Sequence, residues 1–367
     1  MRLTFPVLTL SRGGAQRMIT ELANRLAEIG HEVVVLLPSH GFVEYEMKCP
    51  IITAPATVLT EDDFPYGDVI VSNYYTTVPV AERASRQGKG LHIRLALCYE
   101  PNFLPDNNQS FASYGITRNL LVLSRWQQEV IRINHGIKGR IVPVGVDSNF
   151  HNMHFRDAPD RPLIVSAIMR RPEGGFSGHR EQEYLIQQLD MVKRLHPEVE
   201  IYIMTPPAEF AASLSLQALL NTGRYQLRTP GNDNELAYHY NETDIFVSAS
   251  TNDAGSLPGL EAMRCGAALV TVYSGGNLEY CAHGQNCLMS YRHENRLAAD
   301  ILTLIDDREL RRRLAARGEQ DSLRFTWERS VQVSRLSYLK WCPDRAHEAF
   351  GQNAEHRETF NPGWRWG

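Results

Sequence analysis

Apolar positions along this chain come in short unbroken runs separated by amphipathic stretches. Leu3 to Leu10 is such a run, and Gly13-Gly14 turns out of it. From Ala15 the period changes: Met18, Leu22 and Leu26 recur every fourth residue, with Ile19 and Ala23 beside them, until Gly30 closes a helix. Val33 to Leu37 is apolar again and Pro38 breaks it. Strand, helix and strand in that order make a βαβ unit. Further strands are expected at Asp68–Val71, Leu91–Leu97, Leu120–Leu123 and Ile141–Asp147. Runs apolar on both faces suit parallel strands covered by helices.

The period is lost over 148–161, which turn polar, and a second series then begins. Leu163–Ile168, Glu200–Met204, Tyr225–Arg228, Ile245–Val247 and Ala268–Tyr273 read as strands. Helices alternate with them around Tyr184–Val192, Glu235–Tyr240 and Leu257–Cys265, and a last helix covers Glu328–Trp341. The pattern predicts an α/β protein in two Rossmann-like halves: residues 1–150, a linker 151–161, a second domain 162–327, a helix 328–342 and a polar tail 343–367 to which no function is assigned.

The stretch Asp244–Tyr280 concentrates the chemistry. A strand ends in the loop Asp253-Ala254-Gly255-Ser256, Leu257-Pro258 starts a helix that carries Glu261, and the following strand stops at Ser274-Gly275-Gly276. Proline suits a first helical position, where its missing N–H has no partner anyway. Glycine loops beside a helix N-terminus present backbone N–H groups to an anion such as phosphate. Asp253 and Glu261 flank that place with carboxylates, which accept hydrogen bonds from sugar hydroxyls. A sugar nucleotide satisfies both halves.

Asp253-Ala254-Gly255-Ser256-Leu257-Pro258-Gly259-Leu260-Glu261-Ala262-Met263-Arg264-Cys265-Gly266 resembles the E-x7-E segment of retaining glycosyltransferases of the GT-B fold, glycosyltransferase 4 family, with Asp253 in place of the usual Glu. The opening Gly13–Leu36 and the Phe325-Thr326-Trp327 entry to the last helix are similar to the same family. So is Gly284-x-Asn286-x-Leu288, and Tyr99-Glu100-Pro101 resembles a subgroup that includes rhamnosyltransferases of bacterial surface polysaccharides. The resemblance implies two Rossmann-like domains facing each other across a cleft, with the last helix crossing back to the first domain. It implies transfer, with retention, from a UDP-, GDP- or dTDP-sugar to a glycan, lipid-linked or small-molecule hydroxyl acceptor, in polysaccharide or glycoconjugate biosynthesis.

By that resemblance Glu261 holds the ribose and Asp253 the donor sugar, while Arg170 or Arg171 with Arg180 meets the diphosphate. Gly255, Ser256, Leu257 and the N–H groups of Gly275 and Gly276 line the donor. The loop holding Thr229 faces the base. Gly13 and Gly14 approach the phosphate or the acceptor, and Tyr99 and Glu100 sit at the acceptor side. Two fixed guanidinium groups stabilise a departing diphosphate without a metal, and no D-x-D pair occurs in the chain. No cofactor is expected. His151 with His154, and Cys281 with His283 and Cys287, lack the spacing of a metal site.

Composition narrows little. A net charge of −4 gives no reason to expect a nucleic-acid surface. Six scattered cysteines read as reduced thiols, and no apolar run approaches the ~20 residues that span a bilayer. A cytoplasmic protein is expected, with peripheral contact at the inner face of the cell membrane left open. Two rivals stand beside transfer: hydrolysis or epimerisation of the sugar nucleotide, since two acids can activate water, and an inactive sugar-nucleotide-binding protein.

Overall fold

The structure is a computed structural model that describes residues 1–104, 107–158, 161–173 and 177–342. The tail 343–367, and part of the loop between Arg171 and Arg180, lie outside the described residues.

Among the described residues, two all-parallel sheets account for the strands. The first has seven: β1 (Arg2–Pro6), β2 (Glu32–Leu37), β3 (Ile51–Thr53), β4 (Val69–Ser72), β5 (Leu91–Leu95), β6 (Leu120–Val122) and β7 (Arg140–Ile141), in the order β3-β2-β1-β4-β5-β6-β7. The second has six: β8 (Ile164–Ile168), β9 (Glu200–Met204), β10 (Gln226–Arg228), β11 (Ile245–Ser248), β12 (Ala268–Val272) and β13 (Cys287–Ser290), ordered β10-β9-β8-β11-β12-β13. Strand order therefore reverses between β1 and β4 in one sheet and between β8 and β11 in the other. Such switch points leave a crevice beyond the carboxyl ends of the strands, where ligands of open α/β sheets bind.

The central strands are buried on both faces, as their unbroken apolar runs require: Phe5, Val35, Val69 and Val71 are fully covered, and so are Ile245, Val270 and Val272. Two strands escaped the sequence reading. β3 is an exposed triplet, Ile51-Ile52-Thr53, on the sheet edge, and β13 begins at Cys287 inside a loop-like sequence. Two others are shorter than their apolar runs. Leu10 lies beyond β1 and bridges Val43, and Val142–Asp147 runs on as coil after β7.

Residues 148–158 and Arg161 are not a slack connection. The Arg156 guanidinium donates to the carbonyls of Tyr240, Asn241, Thr243 and Cys265, the free carbonyls at two helix ends. Arg161 forms a fork with Asp244. The segment is thereby clamped to the second sheet's half of the molecule.

The last helix, Trp327–Trp341, packs against the first helix, Gly14–Glu28. Trp327 is buried, the Val146 N–H donates to the Phe325 carbonyl at 3.1 Å, and Ser330 Oγ donates to the Pro143 carbonyl at 2.6 Å. Gly145 permits this approach, because a Cβ there would lie 2.4 Å from the Trp327 backbone nitrogen. Among the described residues, no helix is long and apolar enough to cross a membrane.

Gly145→Ala must push this helix off its seat, and overpacking of this kind costs about 1–3 kcal/mol. Thermal unfolding should show a clear loss for Gly145→Ala and little change for Gly178→Ala, whose Cβ would meet nothing within 4 Å.

Candidate active site

The two switch points face each other, and the loops that leave β1, β8 and β11 meet between them. Arg170 follows β8 and its Nη2 donates to the Arg12 carbonyl at 3.1 Å, in the loop that leaves β1. Gly14 faces Leu257, 3.5 Å from where its Cβ would be, and Gly255 faces Val144 and Leu123 in the same way. Both contacts cross the cleft through places where a side chain is missing.

Charge also crosses it. Arg17, one turn into the first helix, pairs with Asp233 at the start of the helix Asp233–Glu242. The Arg17 guanidinium also lies 5.0 Å from the centre of the Tyr45 ring. Tyr45 Oη in turn accepts from the Gly13 N–H at 2.9 Å and donates to the Gly13 carbonyl at 3.1 Å, which fixes the glycine loop. Burial opposes the Arg17 charge most, but the bond to Asp233 together with the fields of Asp233, Tyr45 and Glu261 outweighs it and raises the Arg17 pKa above its ordinary value.

Glu261 lies behind that pair. It is 8% exposed and accepts a hydrogen bond from Tyr240 Oη at 3.3 Å. Burial pushes its carboxyl up to about 7, opposed chiefly by the field of Arg17.

Arg180, Asp253, Ser250, Ser256 and Gly259 line one cavity at the carboxyl ends of β8 and β11. Among the described residues the Arg180 guanidinium has no hydrogen-bond or ion-pair partner. Burial, and then the like charge of Arg170, lower its pKa, while Asp253 and Glu209 pull the other way. Arg170 is matched: Nε donates to Glu209 Oε1 at 2.7 Å and Oε2 at 2.9 Å, and Nη2 binds Glu209 as well. Arg171 turns out of the cleft. Its side chain is 46% exposed, with Glu173 at 4.0 Å.

Three readings need correction. The loop amides are not open to an anion: Asp253 Oδ1 accepts from the Gly255 N–H at 3.1 Å and the Ser256 N–H at 2.9 Å. This is the short-range turn that an aspartate side chain favours. The Gly276 N–H donates to the Asp253 carbonyl at 2.8 Å, and Gly275 has the Trp126 indole against its empty side. These glycines let two loops and the opposing domain meet closely.

The Glu100 side chain is not open to an acceptor hydroxyl. It is fully buried, accepts from Arg94 Nη2 at 2.9 Å and from Tyr114 Oη at 2.6 Å, and the Arg94 guanidinium stacks 3.6 Å from the centre of the Tyr114 ring. Tyr99 is buried too and shares a 3.0 Å hydrogen bond with His135 Nε2. Thr229 lies in the loop between β10 and the Asp233 helix, half-buried, and among the described residues no hydrogen bond ties its side chain to the cavity.

Sequence reasoning missed Arg17, Tyr45, Glu209, Asp233 and Trp126. Only Arg17 carried a signal, a cation on the helix that leaves the Gly13-Gly14 turn. The structure adds one more tie: the Arg125 N–H, at the start of the helix Arg125–His135, donates to Glu279 Oε1 at 2.8 Å across the cleft. A carboxylate at a helix N-terminus is stabilised by the free amides there.

Comparison with known proteins agrees with this geometry. Residues 174–321 match the family model for glycosyl transferases group 1. Over 245 residues the chain is 29% identical to a D-inositol 3-phosphate glycosyltransferase of Geodermatophilus obscurus, a match covering 62% of this chain and 52% of that protein. The match thus spans about half the length of that relative. Sucrose-phosphate synthase from Thermosynechococcus elongatus superposes with a TM-score of 0.75 at 16% identity, covering 93% of this chain and 99% of that one. Anabaena HepE in complex with UDP-glucose gives 0.72 at 17% identity, covering 92% and 99%. The fold is GT-B, two parallel-sheet Rossmann-like domains.

Two outcomes test this description. Glu100→Ala leaves Arg94 charged and buried without its partner, so stability should fall by about 3–5 kcal/mol in chemical denaturation; a stable variant would mean the pair is not structural. Glu261 binds its proton more tightly when folded, so it makes stability decline as pH rises from about 4.5 to about 7, with no further change above. In Glu261→Gln that part of the decline, about 1–3 kcal/mol, should vanish from the pH dependence of thermal unfolding.

Proposed function

We propose that this protein is a metal-independent, retaining glycosyltransferase that moves a hexose or deoxyhexose from a nucleoside diphosphate sugar to a hydroxyl acceptor. The observation that carries the reading is the unpartnered Arg180 guanidinium in the cavity it shares with Asp253, at the switch point of the second sheet. The match to glycosyl transferases group 1 covers that region. The UDP-glucose in the Anabaena neighbour supports a UDP-type donor.

In this reading the acceptor oxygen attacks the anomeric carbon from the side the diphosphate leaves. The carbon–oxygen bond to phosphate breaks, and a phosphate oxygen takes the acceptor's proton. Negative charge grows on the departing diphosphate, and Arg180 answers it in a place with little water. Arg170 is poised beside Arg180 but neutralised by Glu209 in the ligand-free state, so a diphosphate competes with Glu209 for it. Glu261 accepts from the ribose hydroxyls as a carboxylate, the form the Arg17 field favours. Asp253 shapes the loop with one oxygen, and the donor sugar lies against that loop. The first domain supplies the acceptor, and its Gly13-Gly14 loop closes over the donor.

We place the protein in the cytoplasm, in polysaccharide or glycoconjugate synthesis, with the inner face of the membrane within reach. Arg180→Ala and Glu261→Ala should each lower transfer from a UDP-sugar by roughly 10² or more, in line with the loss of a charge-stabilising contact. Near-full turnover in both would refute the site. Donor breakdown as fast without acceptor as with it would favour hydrolysis instead.

A further inference from the structure

The end of the first sheet farthest from the cleft holds a second concavity that the reaction does not use. It is a groove of about 570 Å³ whose lining includes Arg118, Lys138, Arg140, Ile141, Lys340 and Trp341. Arg118 precedes β6 and Lys138 precedes β7, so the groove opens at the amino ends of these strands, opposite to the carboxyl ends that form the cleft. Lys340 and Trp341 close it from the end of the crossover helix.

Two features separate this groove from an ordinary solvated surface. Its lining carries four cations and no carboxylate, on a chain whose net charge is −4. Among the described residues none of the four cations makes an ion pair or a side-chain hydrogen bond, whereas Arg17, Arg25, Arg94, Arg161 and Arg170 each sit against a carboxylate. Arg118, Lys138 and Lys340 are exposed and Arg140 is half-buried, so their charge is open to an anion along the groove. The arrangement is stabilised when an anion enters. Ile141 and the half-buried Trp341 add apolar surface at the same place.

We propose that this groove binds a phosphate-bearing ligand: the cations take the phosphate, and Trp341 with Ile141 takes an apolar portion beside it. A phospholipid headgroup and a soluble phosphorylated molecule share this chemistry. Each basic residue near an anionic lipid surface contributes modestly, so four of them give a reversible attachment rather than an anchor. The inference does not rest on the transferase reading.

The full-length protein should be tested with two probes, vesicles of phosphatidylcholine containing phosphatidylglycerol, and inorganic pyrophosphate. Protection of the Lys138 and Lys340 amines from acetylation, read by mass spectrometry, reports on the groove and not on the cleft. Protection by the vesicles, absent with phosphatidylcholine alone, assigns a lipid headgroup. Protection by pyrophosphate without vesicle binding assigns a soluble phosphate. Either outcome supports the site.

The double variant Arg140→Glu with Lys340→Glu should lose roughly tenfold or more in affinity for the probe that protects. Arg140→Lys with Lys340→Arg should keep it, and the melting temperature of each variant checks its folding. Absence of protection by both probes, or charge-reversed protein binding as tightly as wild type, overturns the proposal. Sugar transfer to a soluble acceptor should be unchanged in the charge-reversed protein, so a failed transfer assay bears on the cleft reading alone.

Discussion

Everything at the cleft depends on charge being matched across a gap from which side chains have been removed. Arg17 reaches from one domain to Asp233 on the other, and Glu261 lies within the field of that pair. In bulk water such a pair would be worth little; where burial lowers the effective dielectric it fixes position. The match is possible only because the domains come close, which they do at Gly14 over Leu257, Gly255 over Val144 and Gly275 under Trp126. The glycines serve first as contact surfaces between domains. Their backbone freedom matters chiefly at Gly275, where φ is +94°.

That constraint changes how an anion is recognised. A glycine loop before a helix suggests recognition by backbone amides, but Asp253 already occupies two of them, and the Asp253 carbonyl holds a third. The loop's amides are satisfied within itself. What remains at that cavity is an unpaired guanidinium, Arg180, with Arg170 close enough to lower its pKa. Electrostatic groups already in position need no reorganisation when charge develops.

Much of this was legible in the sequence, for a physical reason. Parallel strands buried on both faces must be apolar throughout, and Val33–Leu37 or Ile245–Val247 admit no other use. β3 and β13 were not legible, because an exposed edge triplet and a strand opening on Cys287 carry neither alternation nor length. Asp253 and Glu261 stood out as carboxylates beside a glycine loop and a helix start, whereas Arg180 was reached only through the family resemblance. Glu100 could not be placed. A carboxylate in a loop reads as exposed until its partner is known, and Arg94 is internal to β5, where the pattern gives no hint that a guanidinium is covered. The partners of Arg17 and Arg170 are 216 and 39 residues away. Pairings of that range belong to the fold and leave no local trace.

The Arg170–Glu209 fork shows why an ion pair need not be idle. Arg170 and Arg180 lie near enough for like charge to lower the Arg180 pKa, and that repulsion opposes bringing them together. Glu209 cancels one of them, and the surrounding cations in turn keep its carboxyl below the ordinary range although burial pulls it upward. Charge at this end of the second domain is therefore nearly balanced: Arg170 faces Glu209, and Arg180 shares its cavity with the Asp253 carboxylate. In the proposed reading a diphosphate reaches both cations only by drawing Arg170 away from Glu209. The balance lies within the second domain, and in the proposed reading a charged ligand disturbs it where a neutral sugar does not.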